Sequence, residues 1–125
     1  MKKAVFAQGA PAAIGPYSHG VAIGDLFFTS GQIALVPETG KLVDGGIQEQ
    51  TEQVLRNLEM VLSANGMTFA NVVKTTVFIK EMNDFAAINE VYAKFFPSPF
   101  PSRSCVEVAR LPKDVMLEIE AIAVK

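Results

Sequence analysis

The sequence predicts an α+β domain in which a mixed β-sheet carries two helices on one face. Three observations lead there. Apolar residues recur at helical spacing in two separate segments, and short β-prone runs precede, separate and follow them. The strand-like runs stay apolar on both parities, with Val73, Val77 and Ile79 on one and Val72, Phe78 and Val106 on the other. Two helices cannot cover both faces of such a sheet, so the second face is expected to lie against partner subunits.

The elements follow in chain order. Ala10 to Gly20 carries two prolines and two glycines and reads as an ordered loop, with an extra strand possible before it at Lys3–Ala7. Gly20–Ile23 and Leu26–Ser30 are β-prone runs joined by Gly24-Asp25, a two-residue turn that makes them a hairpin. From Ile47 to Asn65 the period changes: Ile47, Thr51, Val54, Leu55, Leu58 and Leu62 form one helical stripe, and Gly66 is its C-terminal stop. Val72–Lys80 reads as a strand. Asn83 is placed to cap a second helix that runs to Phe96, where Pro97, Pro99 and Pro101 end it. Two strands, Arg103–Arg110 and Met116–Val124, close the chain around a Pro112-Lys113-Asp114 turn.

A chain of 125 residues fits one domain, residues 1–125, with a single core. Half the residues are hydrophobic and only 19% are charged, which is apolar for a small soluble protein and again points to surface buried between subunits. The net charge of −2 and the scattered basic residues argue against a nucleic-acid partner. No run approaches the roughly 20 apolar residues a membrane span requires, and the basic N-terminus lacks the apolar stretch of a signal peptide. A single cysteine, Cys105, forms no internal disulfide and fits a reducing, cytoplasmic setting.

Few residues carry chemistry. Arg103 and Cys105 lie two apart on a strand and point to one face. A guanidinium there is suited to grip a carboxylate with both prongs, or else to form a salt bridge within or between chains. Cys105 is either a nucleophile or a small buried hydrophobe. His19 reads as a lone exposed histidine, and one His with one Cys cannot assemble a metal site. Glu118 and Glu120 share one side of the last strand, where partial burial can turn a carboxylate into a general base and solvation would leave it inert. Thr29-Ser30-Gly31-Gln32 ends a strand with a glycine that can present backbone amides to a ligand.

The run from Ser102 to Asp114, SRSCVEVARLPKD, resembles the C-terminal signature of the Rid family, formerly called YjgF, and its RidA subfamily in particular. Ala10–Tyr17, Thr29–Gln32, Val73–Phe78 and Glu118–Ala123 are similar to the same family in the same order. The resemblance implies a chorismate-mutase-like fold and a homotrimer with clefts between subunits. It also implies cofactor-free hydrolysis of 2-aminoacrylate and 2-aminocrotonate, through their imines, to 2-keto acids and ammonia. Such chemistry protects pyridoxal-phosphate enzymes from their own reactive products.

By the same resemblance Arg103 holds the substrate carboxylate, helped by the backbone amide of Cys105, and Glu118 activates water. Tyr17 walls the cleft, Ser30, Gly31 and Asn89 surround it, and Phe85 completes the lining. His19 departs from the glutamine expected there, and the loop 97–102 is short. A plain hairpin of the last two strands would set Glu118 opposite Ala109, ~20 Å along the strand from Arg103, so the site requires another strand order or neighbouring subunits. Two other functions use the same residues: a non-catalytic module that binds 2-keto acids or a regulatory protein, and an endoribonuclease or translation inhibitor.

Overall fold

The first hairpin is set by Gly24, which takes a φ of 57° between Ile23 and Leu26. In the computed structural model, which describes residues 1–125, it joins β2 (Gly20–Ile23) to β3 (Leu26–Thr29). The extra N-terminal strand forms as β1 (Lys3–Val5), antiparallel to β2. Then come α1 (Ile47–Ala64), β4 (Val72–Ile79), α2 (Phe85–Phe95), β5 (Ser102–Glu107) and β6 (Leu117–Val124). They build one six-stranded mixed sheet in the order β1-β2-β3-β6-β4-β5.

The stripe of α1 is buried as expected: Thr51, Val54, Leu55, Leu58 and Leu62 reach the core, with Val61 beside them. The helix stops in a Schellman arrangement. Gly66 (φ 69°) donates to Ser63 O, and Met67 donates to Leu62 O, so two terminal carbonyls find donors. The start of α2 differs from expectation. Asn83 does not cap it; Met82–Asp84 form a 3₁₀ turn in which the Glu81 carboxylate accepts the Asn83 N–H at 3.0 Å. Glu81 thus caps the short turn, and α2 itself starts after Asp84 without a side-chain cap.

The closing strands do not form a hairpin. Strand β4 lies between them, parallel to β5 and antiparallel to β6. The reason is that α2 makes β4-α2-β5 a crossover unit whose strands are neighbours, and β6 is left the other edge of β4. The link to β6 turns through Lys113 and Asp114, both at positive φ. Parity is also corrected at one point. A bulge between Val72 and Lys74 buries Val72 and turns Val73 outward, so Val72, Val77 and Ile79 share the core side.

Both helices cover one face. Phe27, Val77, Ile79, Leu117 and Ile119 are fully buried there in one cluster with Leu55, Leu58, Leu62 and Ile88. The opposite face keeps Leu26, Phe28 and Val106 exposed around Glu118 and Glu120. No helix is long and apolar enough to cross a membrane.

Buried polar groups tie the irregular chain after β3 to this core. Asn57 on α1 donates from Nδ2 to Ile33 O (3.0 Å) and Leu35 O (2.9 Å), and Gln50 accepts the Met116 N–H at 2.9 Å. Replacing Asn57 by Leu leaves Leu35 O without a donor and Ile33 O with the Leu35 N–H alone, and the chain is expected to lose about 1–3 kcal/mol of unfolding free energy in urea. An unchanged midpoint would show that water replaces the amide at no net loss.

Candidate active site

On β6 the core side holds Leu117, Ile119 and Ala121, so Glu118 projects from the uncovered face. Residues 30–32 run beside it, clamped where Gln32 and Ile119 exchange backbone hydrogen bonds of 2.9 and 3.2 Å. This brings Gly31 against the Glu118 carboxylate. A Cβ at position 31 would overlap Oε2 and stand 2.8 Å from Cδ, so the glycine leaves the space in which the carboxylate sits, and a larger residue there would push the Glu118 side chain aside. Partial burial raises the Glu118 carboxyl above the usual carboxylate range, and repulsion from Glu120 raises it further.

The Pro-Gly loop forms the facing wall. The Ser30 hydroxyl donates to Ser18 O at 2.6 Å, and the Ser30 N–H donates to His19 O at 2.9 Å. Tyr17 and Ile14 stand exposed above a groove of about 690 Å³ whose lining includes Ser30, Gly31, Glu118 and Glu120. His19, expected at the surface, is instead buried. Its Nδ1 accepts the Ala7 N–H and its Nε2 donates to Pro11 O, each at 2.9 Å, which fixes a neutral tautomer and straps the loop to the N-terminal segment.

Arg103 and Cys105 occupy the other face. In the parallel ladder Arg103 pairs with Thr75 and Cys105 with Val77, both fully buried on the helix side. One turn after another, α2 offers Phe85, Asn89 and Tyr92 to the guanidinium. Nη1 donates to Asn89 Oδ1 at 2.8 Å, and the guanidinium carbon lies 5.2 Å from the Phe85 ring centroid and 4.9 Å from that of Tyr92. No carboxylate of the chain reaches it. The ion pairs present are Arg56–Glu59 and Lys80–Asp114, so the reading of Arg103 as half of an intrachain salt bridge is overturned. Burial pushes the Cys105 thiol up, against the pull of Arg103, which works against the thiolate a nucleophile needs.

The expected site residues therefore fall into two groups. Tyr17, Ser30, Gly31 and Glu118 meet on the open face, while Phe85, Asn89, Arg103 and Cys105 meet beneath the edge of α2. The sheet stands between them. Two residues escaped the sequence reading. Tyr92 looked like core because it lies on the apolar stripe of α2, and His19 gave no sign of burial because its two partners are backbone groups.

The α+β fold thus holds a cation without an acid partner on one face and a half-buried carboxylate on the other. Residues 7–125 match the protein family described as Endoribonuclease L-PSP, and the chain belongs to this family, the Rid family of the sequence resemblance. It is 51% identical over 128 residues to the 2-iminobutanoate/2-iminopropanoate deaminase of Escherichia coli, across 100% of this chain and 99% of that one. The structure of Escherichia coli TdcF with bound serine superposes with a TM-score of 0.94 at 50% identity, covering 98% of each chain. RidA from an Antarctic Psychrobacter species superposes at 0.95 with 38% identity, over 98% of this chain and 99% of that one.

His19→Ala removes both bonds of the strap and leaves the Ala7 N–H and Pro11 O unpaired. Hydrogen exchange at the Ala7 amide is expected to accelerate strongly, with about 1–3 kcal/mol lost in denaturant unfolding. An amide that stays protected would mean that another acceptor holds it.

Proposed function

We propose that this enamine/imine deaminase hydrolyses 2-aminoacrylate and 2-aminocrotonate, as their imines, to 2-keto acids and ammonia, in clefts shared between subunits of a cytoplasmic homotrimer with a chorismate-mutase-like subunit. The observation that carries the reading is the division of the site. Arg103 has no carboxylate partner in its own chain, and Glu118 faces away from it across the sheet. A second copy laid on the open face brings one half-site to the other. The deaminase name of the half-identical Escherichia coli relative and the serine bound to TdcF support a small amino-acid-derived substrate.

In this reading Arg103 and the Cys105 amide hold the substrate carboxylate, which sets the iminium carbon in front of a water bound by Glu118. Glu118 removes a proton as the water oxygen attacks that carbon, giving a carbinolamine. The same proton then passes from Glu118 to the amine nitrogen. The C–N bond breaks with its electron pair on ammonia, the hydroxyl proton returns to Glu118, and the ketone forms. Loss of that proton to ammonia or solvent resets the carboxylate. Tyr17, Ser30, Gly31, Phe85 and Asn89 exclude solvent and fix orientation, and the chain supplies the whole reaction without a cofactor.

The test generates 2-aminoacrylate from serine with a pyridoxal-phosphate dehydratase and traps the surviving imine with semicarbazide. Wild type is expected to suppress trapping, while Arg103→Ala and Glu118→Gln each fail to. Co-refolding the two variants in equal amounts should then restore about a quarter of wild-type activity, the fraction of shared sites that receive both intact halves. No restoration would place both halves in one chain, and an inactive wild type would leave a 2-keto-acid binder.

The acid limb of the rate has a defined sign. Glu118 must be ionised to accept the proton, and its carboxyl sits above the usual range, so kcat/KM is expected to fall on acidification at a pH above that of an ordinary glutamate. Glu120→Gln removes the lesser cause and should move the limb to lower pH, leaving it still raised by burial. A limb at or below the pH of an ordinary glutamate would exclude Glu118 as the titrating base, and one that ignores Glu120 would leave burial as the sole cause of the shift.

The ribonuclease named in the family's description fits this groove less well. Its charged lining is Glu118, Glu120 and Lys113, a poor surface for phosphates. Binding of RNA that weakens steeply with salt would favour that reading instead.

A further inference from the structure

We propose that Tyr92 is a positioning residue for the anion anchor, its ring setting the plane in which the Arg103 guanidinium receives a carboxylate. This inference rests on the reading of Arg103 as that anchor, and deepens it. An arginine has many rotamers, and a fork that must be ordered at each encounter binds more weakly than one already in place. The intrachain contacts of Arg103 supply the order without supplying a countercharge. Asn89 takes one N–H, and two aromatic rings at 4.9 and 5.2 Å flank the cation.

The two rings are not equivalent. Phe85 is partly open to solvent, whereas Tyr92 is buried, stacked on Phe96 with centroids 4.3 Å apart, and hydrogen-bonded through its hydroxyl to Thr75 Oγ1 at 2.7 Å. Thr75 is the residue that pairs with Arg103 in the β4–β5 ladder. The strand position that carries the anchor is therefore matched, on the neighbouring strand, by the residue that fixes the ring beneath it. A phenylalanine at 92 would fill the same space but would lose this tether. A guanidinium over a ring face is held by the ring's quadrupole, and the attraction leaves the in-plane N–H groups free for a carboxylate.

A core residue and a positioning residue differ in what they do to an anion. The probes are 2-oxobutanoate, which carries the carboxylate, and its neutral counterpart 2-oxobutanamide, with binding measured by calorimetry on the assembled protein. Tyr92→Leu is expected to weaken 2-oxobutanoate about tenfold while the amide changes little, and to raise KM with kcat nearly unchanged. Tyr92→Phe and Thr75→Val should each lose about threefold or less, and the double variant no more than either alone, since both remove one hydrogen bond.

Because the leucine variant removes packing as well, 3,4,5-trifluorophenylalanine at position 92 is the decisive comparison with Tyr92→Phe. It keeps the shape and weakens the negative ring face, so 2-oxobutanoate binding should fall below that of Tyr92→Phe at equal thermal stability. Equal affinity of those two chains, with binding lost in Arg103→Ala, overturns the role of Tyr92 alone. Wild-type affinity in Arg103→Ala overturns the anchor, and this inference with it.

Discussion

A pleated strand sends successive side chains to opposite faces, and in this sheet helices cover only one of them. Almost everything about the site follows from that constraint. On β6 the alternation that buries Leu117, Ile119 and Ala121 obliges Glu118 and Glu120 to face outward. On β5 the register with β4 sets Arg103 beside Thr75 and Cys105 beside Val77, on the covered side. With β4 between them, no rotamer of either side chain unites cation and carboxylate within the chain. Cation and carboxylate therefore cannot pair off within one chain.

Much of this order is legible in the sequence. Periodicity locates both helices, because a stripe such as Thr51, Val54, Leu55, Leu58 and Leu62 has one physical explanation. The uncovered face follows from counting helices against apolar parities. Strand order is another matter. Arg103–Arg110 and Met116–Val124 read as a hairpin, since nothing local shows that β4, some thirty residues upstream, takes the place between them. Likewise the bulge that exchanges Val72 and Val73 leaves no mark in composition, both residues being valine. Long-range pairing decides such features, and it is invisible to local pattern.

The site residues were legible through resemblance more than through chemistry. Arg103 and Glu118 stand out as charges in apolar strands, but the roles expected of Tyr17, Ser30, Gly31, Phe85 and Asn89 come with the resemblance. What pattern hid was the support. His19 and Asn57 act on backbone carbonyls and amides, whose positions no side-chain motif encodes. Gly31 reads as a glycine that presents backbone amides, and the structure adds that its missing side chain leaves the space the Glu118 carboxylate occupies.

These supports share a logic that bears on how the proposed shared cleft can form. A site divided between chains must align its halves when the chains meet, and any freedom left in either half is lost then at the expense of affinity. Here the surroundings of each half are ordered within the single chain. His19, Ser30 and the Gln32–Ile119 clamp hold the open-face wall around Glu118, while Asn89, Phe85 and Tyr92 hold the guanidinium. These contacts take one guanidinium N–H, which goes to Asn89, and leave the others; the Glu118 oxygens form no hydrogen bond within the chain, and Arg103 pairs with no acid. The fold thus leaves the carboxylate without a hydrogen bond and the guanidinium without an acid, which is the condition for the proposed cleft to become competent when two chains dock.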